Sequence, residues 1–314
     1  MTLNLTYLRN FIQVLEWGNV SKAALHLNIA QPALSRQIQA LEAEFDTKLL
    51  RRQNWGVEPT EEGKLVVELA NRIEKDCSST RDNIRSNLAN PSGAVYVGVP
   101  SNYSVSLAPQ LIQRMRLLYP NISVHVVEAF SSAVFEWLIN GRLDLAVLYH
   151  SKERCVERSL PFLTEEIMAV TLPTMFDGSS SLSLEFIANR QAIVPHRPHL
   201  LRLALEAKYQ QLGITFVPKL EIDSLRGMIE MAHLGEGVAL IAPSSVYRDI
   251  SEGKLKALPL KPGLQFTTVL GLTSARQPTR LSSIVVDVLH DIAHELAPKL
   301  GWRVDFSNHQ AEEY

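Results

Sequence analysis

Gln31, Ser35 and Gln39 recur at four-residue spacing with Pro32 and Arg36 beside them, so a helix through this segment carries hydrogen-bonding side chains along one face. Such groups suit the edges of DNA: arginine pairs with guanine O6 and N7, glutamine with adenine N6 and N7, and serine with phosphates or base edges. Any solvated helix face shows polar residues at this spacing, so the face needs its context. A second set of polar residues follows short apolar runs: Ser101-Asn102-Tyr103-Ser104 after 95–99, Ser131-Ser132 after 123–127, and Pro195-His196-Arg197 after 192–194. In open α/β sheets, ligands bind beyond the carboxyl ends of strands, where helix N-termini offer unpaired N–H groups to a polar or anionic molecule. Ser101, Asn102, Ser104 and Ser131 are therefore candidates for one wall of a ligand site and Pro195 and His196 for the opposing wall, although each serine also reads as a helix cap.

The first sixty residues supply the elements that would position the first set. Leu5, Leu8, Phe11, Ile12 and Leu15 predict an amphipathic helix over 5–17, broken by Gly18-Asn19. Ser21 reads as the cap of a short second helix with Ala23, Ala24 and Leu27 on a small-residue face. After the turn at Asn28-Ile29-Ala30, Pro32 suits the first turn of a third helix, which Leu34, Ile38, Leu41 and Phe45 anchor to the other two.

The run Ser21-x-Ala23-Ala24-x-x-Leu27-x-x-Ala30-Gln31-Pro32-Ala33-Leu34-Ser35-x-Gln37-Ile38-x-x-Leu41-Glu42 resembles the signature of LysR-type transcription regulators, and Leu49-Leu50-x-Arg52 with Thr60-x-x-Gly63 resembles that family's wing and the start of its linker helix. The resemblance implies a winged helix-turn-helix in which Ser21, Lys22, Gln31, Pro32, Ser35, Arg36 and Gln39 face duplex DNA, with Arg51 and Arg52 in the wing. Asp46 stands where the family usually has glycine, and Trp55 stands where a wing arginine is common. The resemblance also implies a homodimer formed through the linker helix, assembly to a homotetramer, and RNA polymerase as a further partner. Within the family the run faintly resembles regulators of nitrogen and sulfur assimilation.

The linker helix is expected over 61–89. Taking Val66 as an a position gives Val66, Ile73, Thr80 and Asn87 at a and Ala70, Cys77 and Ile84 at d, a diluted coiled-coil seam. The cluster Asn90-Pro91-Ser92-Gly93 marks a domain boundary. Beyond it, continuous apolar strands alternate with helices, which predicts parallel sheets covered on both faces. Two such sets give a two-lobed α/β domain over 90–300 of the kind seen in periplasmic binding proteins. Lobe I takes 94–161 and 268–300, lobe II takes 162–267, and a polar tail covers 301–314. Asn140-Gly141-Arg142-Leu143-Asp144-Leu145-Ala146-Val147 extends the family resemblance into this region, where Asn102 and Ser131 match positions that touch effector. The whole is an α+β multidomain chain: winged helix-turn-helix, linker helix and effector domain.

Composition narrows the function. With 46% hydrophobic and 20% charged residues the chain is globular, and a formal net charge of −2 argues against an architectural DNA-binding protein, which would need a strongly basic surface. Even the first sixty residues hold six Lys and Arg against five Asp and Glu, so the DNA reading rests on motif geometry. An enzyme should show a cofactor loop or a convergent acid, base and nucleophile; neither a GxGxxG nor a GxSxG run occurs. No catalytic residue and no cofactor other than the effector is expected. His196-x-x-His199 and His290-x-x-x-His294 lack a third ligand nearby, so no metal is expected. Cys77 and Cys155 read as reduced thiols, and without a signal-like N-terminus or a membrane-length apolar run the expected compartment is the cytoplasm. A free solute-binding protein would have no use for the first sixty residues.

Overall fold

The computed structural model describes residues 3–53, 56–86, 91–150, 156–188 and 191–304. They divide into two units, Met1–Arg81 and Asp82–Tyr314. In the first, α1 (Leu5–Glu16) begins where the Asn4 side chain accepts the Thr6 amide. Leu8, Phe11 and Val14 form its buried stripe, while Leu5, expected on that stripe, is largely exposed. Asn19 caps α2 (Val20–His26) by accepting from the amides of Ser21 and Lys22, so Ser21 lies inside the helix rather than at its cap. One Asn oxygen there satisfies two of the orphan donors. Buried Ala23 and Ala24 let α2 approach α3 (Gln31–Glu44), whose Leu34, Ile38 and Leu41 complete the core. Asp46 has φ +50°, the left-handed conformation that glycine would otherwise supply and that Asp tolerates. Strands β1 (Leu50–Gln53) and β2 (Gly56–Pro59) pair antiparallel as the wing; Trp55 lies outside the described residues.

Helix α4 (Glu61–Ser86) opens at Thr60, whose Oγ1 accepts from the Gly63 N–H at 2.9 Å and donates to the Lys48 carbonyl at 2.7 Å. A Cβ on Gly63 would stand 2.1 Å from the Leu49 carbonyl oxygen, so only glycine lets the helix start this close to the wing. The coiled-coil reading needs correction here. Val66 and Ala70 are buried in the core of α1–α3, and Ile73 packs against the same core. Those positions serve their own domain instead of a seam, and the side turned away carries Leu65, 66% exposed. Thr80 is exposed, while the side chain of Ile84 and residue Asn87 lie outside what the structure describes.

In the second unit, β3 (Gly93–Pro100) runs straight into α5 (Ser101–Leu118), followed by β4 (Ile122–Ala129), α6 (Ser131–Ile139) and β5 (Leu145–Tyr149). Strands β4, β3 and β5 are parallel, as the apolar runs predict. Two strands run well beyond their apolar stretches: β6 (Ser159–Thr171) and β11 (Lys256–Leu272) pair antiparallel along their length and cross from one lobe to the other. Their middles are polar (Thr164, Glu165, Glu166, Gln265, Thr267), which hides the strand from an apolar-run reading. Between them lie β7 (Leu182–Ser183), α7 (Leu184–Ala188), β8 (Ala192–Val194), α8 (Leu200–Gln211), β9 (Leu220–Glu221), α9 (Leu225–His233), β10 (Val238–Ile241), a 3-10 turn (Pro243–Val246) and α10 (Tyr247–Ser251). Strands β10, β8 and β9 are parallel, with β10 antiparallel to β6.

The lobe boundary also shifts. Phe162 and Leu163 belong to the lobe I core and Ile167 to that of lobe II, which places the crossing of β6 near Glu165 rather than at 162. Helix α11 (Arg280–Leu300) closes lobe I, and residues expected in the tail belong to that lobe: Trp302 is buried and Arg303 bridges to Thr164. In the Asn140-to-Val147 motif, Asp144 is structural, accepting from the Tyr96 amide at 2.7 Å and from Arg276.

Candidate DNA-reading helix and ligand cleft

The face of α3 opposite Leu34, Ile38 and Leu41 holds Gln31, Pro32, Arg36 and Gln39, all exposed, with Ser35 half-buried among them. Gln31 Nε2 donates to Ser35 Oγ at 2.9 Å, which fixes two candidate groove residues relative to each other. Gln37 points the other way and accepts from Asn10 Nδ2 at 2.6 Å. Ser21 and Lys22 are exposed in the first turn of α2, and Arg51 is exposed in β1; the side chain of Arg52 lies outside what the structure describes. Glu42 has a role that the sequence did not reveal: it accepts from the Leu49 amide at 3.0 Å and from Lys48 Nζ at 2.7 Å, tying α3 to the root of the wing.

In the second unit a cleft of about 650 Å³ opens between the lobes. Of the candidates, Ser101, Asn102, Ser131 and Pro195 line it. Ser104 does not; its hydroxyl donates back to the Ser101 carbonyl, because the expected loop is the first turn of α5. His196 lines an adjoining hollow that shares Ser131, Tyr149, His199 and Asp223 with this cleft and also takes in Arg197, and its amide donates to Asp223. Asn102 is held from both ends, donating to Glu165 at 2.8 Å and accepting from the Tyr149 hydroxyl at 2.9 Å.

Sequence reasoning missed Tyr149, His199, Asp223 and Ser245 on the cleft. Tyr149 ends β5, so the strand-end rule applied to that strand would have found it. His199 caps α8 by accepting the Leu201 amide, and its ring meets Phe130 of lobe I edge-on at 5.8 Å, a contact that crosses the cleft. Burial holds the His199 imidazole below its usual range. Behind the cleft stands Glu165, 2% exposed at the crossing of β6. It accepts from Asn102 of lobe I, from Ser244 after β10 and from Trp302 after α11. Burial pushes its carboxyl up, and the Tyr103 hydroxyl together with those three donors opposes that rise.

A winged helix-turn-helix in one chain with a hinged two-lobed cleft defines a class: DNA-binding proteins equipped with a small-molecule-binding domain. The comparisons agree. The family model described as "Bacterial regulatory helix-turn-helix protein, lysR family" matches residues 5–64, and "LysR substrate binding domain" matches residues 89–293. The chain belongs to the LysR family of DNA-binding transcription regulators, whose members are regulators and not enzymes. It is 29% identical over 249 residues to the nitrogen assimilation regulatory protein nac of Escherichia coli, covering 79% of this chain and 81% of that one. It is 26% identical over 283 residues to the transcriptional regulator BbuR of Bordetella bronchiseptica, covering 90% and 87%. Among solved structures, full-length CbnR complexed with its target DNA matches with a TM-score of 0.69 at 17% identity, covering 93% of this chain and 99% of that one. A full-length OxyR variant of Pseudomonas aeruginosa matches with a TM-score of 0.69 at 18% identity, covering 93% and 98%. At these identities the structural matches speak for the fold. Among the described residues no helix is long and apolar enough to cross a membrane.

Proposed function

We propose that α3 reads an operator through Gln31, Pro32, Ser35, Arg36 and Gln39, with Ser21, Lys22, Arg51 and Arg52 on the phosphates, and that a small effector bound between the lobes alters this activity. The observation that carries the reading is the division of α3 into a buried apolar face and an exposed face of groove-reading side chains. The effector lies against Ser101, Asn102, Ser131 and Pro195, with His196 in the adjoining hollow. A ligand touching both lobes favours one hinge arrangement, and it changes DNA binding only by its differential affinity for the two, typically about 1–3 kcal/mol. Two chains associate through α4, along the side that carries Leu65, because one helix-turn-helix buries too little for tight specific binding. Dimers pair to a tetramer, RNA polymerase is a further partner, and the cytoplasm is the compartment. The family resemblance supports these three statements.

The test is a thermal-shift screen of small metabolites on the full chain, followed by calorimetry on wild type and Ser131→Ala. A hit should raise the melting temperature, and Ser131→Ala should weaken it by about 0.5–1.5 kcal/mol while leaving effector-free DNA binding unchanged. Equal affinity in both proteins would move the site elsewhere.

A further inference from the structure

The wing is fastened at more than one point, and one of the fastenings comes from the helix that carries the groove-reading face. At the start of β2, the Val57 amide donates to the Gly18 carbonyl in the α1–α2 turn at 2.9 Å. A Cβ on Gly56 would stand 2.2 Å from that oxygen, so only glycine permits the approach. At the root, the Lys48 carbonyl accepts from Thr60 Oγ1 at 2.7 Å and the Leu49 carbonyl accepts from the Thr60 amide at 3.1 Å. The Leu49 amide lies ahead of β1 and donates instead to Glu42 Oε1 at 3.0 Å, while Glu42 Oε2 accepts from Lys48 Nζ at 2.7 Å. The Leu49 side chain is fully buried in the core of α1–α3, so the root cannot shift without disturbing that core.

Glu42 stands in the last turn of α3, one turn beyond Gln39. A carboxylate there meets the negative end of the helix dipole, so the helix itself gains nothing from it. The Glu42 side chain is 11% exposed, whereas that of Lys48 is 78% exposed. An ion pair with so exposed a lysine contributes little, which leaves the charge-assisted bond to the Leu49 amide as the one that fixes geometry. Arg51 follows Leu49 by two residues on the short strand β1. The groove face of α3 and the wing arginines are thereby held in one frame through Glu42. Groups that must meet a rigid partner together need agreement within about 0.5 Å, and the duplex is such a partner.

We propose that Glu42 is a positioning residue for DNA binding, which sets Arg51 and Arg52 of the wing on the phosphates in register with the groove face of α3. The proposal rests on the reading that those arginines meet phosphates, so the experiment separates the two. The probe is the duplex that the full-length wild-type chain enriches most from a random library, titrated by anisotropy over a range of salt concentrations. Glu42→Asp and Glu42→Gln are each made with and without the pair Arg51→Ala and Arg52→Ala. Aspartate keeps the charge but is one methylene too short to reach the Leu49 amide, whereas glutamine drops the charge and keeps an acceptor oxygen there. Glu42→Asp should weaken binding about fivefold and lower the slope of log affinity against log salt by about one. Glu42→Gln should stay within about twofold of wild type, which tests the same claim without shortening the side chain. In the background lacking both arginines, Glu42→Asp should cost less than about twofold, because what Glu42 positions is gone. An equal cost in both backgrounds would make Glu42 a structural residue of α3 and overturn the proposal. So would unchanged binding by Glu42→Asp, or a loss in Glu42→Gln as large as that in Glu42→Asp, which would assign the effect to charge. Removal of the two arginines without loss of affinity would overturn the phosphate reading of the wing, and the proposal with it.

Discussion

Val66 and Leu65 are adjacent in α4 and should respond oppositely to truncation. Val66 is 4% exposed in the core shared with α1–α3, whereas Leu65 is 66% exposed on the other side. Val66→Ala removes two buried methyl groups at about 0.8 kcal/mol each, and the residual cavity raises the loss to about 1.5–3 kcal/mol. Leu65→Ala should stay within about 0.5 kcal/mol. The assay is native-state hydrogen exchange of the buried amides of α1 and α3 in the full chain, paired with light scattering. A loss of about 1.5–3 kcal/mol speeds exchange by about 10–150-fold, whereas Leu65→Ala leaves exchange alone and shifts the proposed α4 dimer toward monomer. If Val66→Ala leaves exchange unchanged and instead dissociates the dimer, Val66 sits on a coiled-coil seam and the assignment of α4 to its own domain is refuted.

Arg36→Ala should weaken specific operator binding by about 1–3 kcal/mol at fixed salt without changing the melting temperature, as read by anisotropy titration. Glu165→Ala strands the donors of Asn102, Ser244 and Trp302 and should destabilise the second unit by about 2–5 kcal/mol in calorimetry; an unaltered transition would mean that the three donors find other partners. Burial lowers the pKa of both His199 and His290, so the stability linked to them is whole above about pH 6.5 and is lost as pH falls through their lowered values. The melting temperature should drop between about pH 7 and 5, and His199→Asn, which keeps the cap acceptor, should reduce that drop. An identical pH profile in the variant would remove His199 from the cause.

The helix-turn-helix was legible because its signals are local: apolar spacing, Pro32 in a first turn and a polar face confined to one side of α3. Even there, the Ser21 cap lost to Asn19, since a cap is decided by which oxygen reaches the free amides. The seam in α4 failed for a related reason. Heptad spacing marks Val66, Ala70 and Ile73 as one face without saying which protein surface covers it. In the effector domain, buried strands were read from their apolar runs, but β6 and β11 run through polar middles that such a reading passes over. Glu165 was invisible because a single carboxylate in a polar stretch acquires meaning only when Asn102, Ser244 and Trp302, far apart in sequence, converge on it.

Whether α3 reads a DNA sequence is decided by selecting duplexes from a random library with the full-length protein and repeating the selection with Arg36→Ala. The wild type should enrich an inverted repeat with half-sites about one helical turn apart, or a multiple of that spacing, and the variant should lose or relax one base position in each half-site. Failure to enrich any sequence over the starting library, or an identical motif selected by Arg36→Ala, would contradict a base-reading role for this helix.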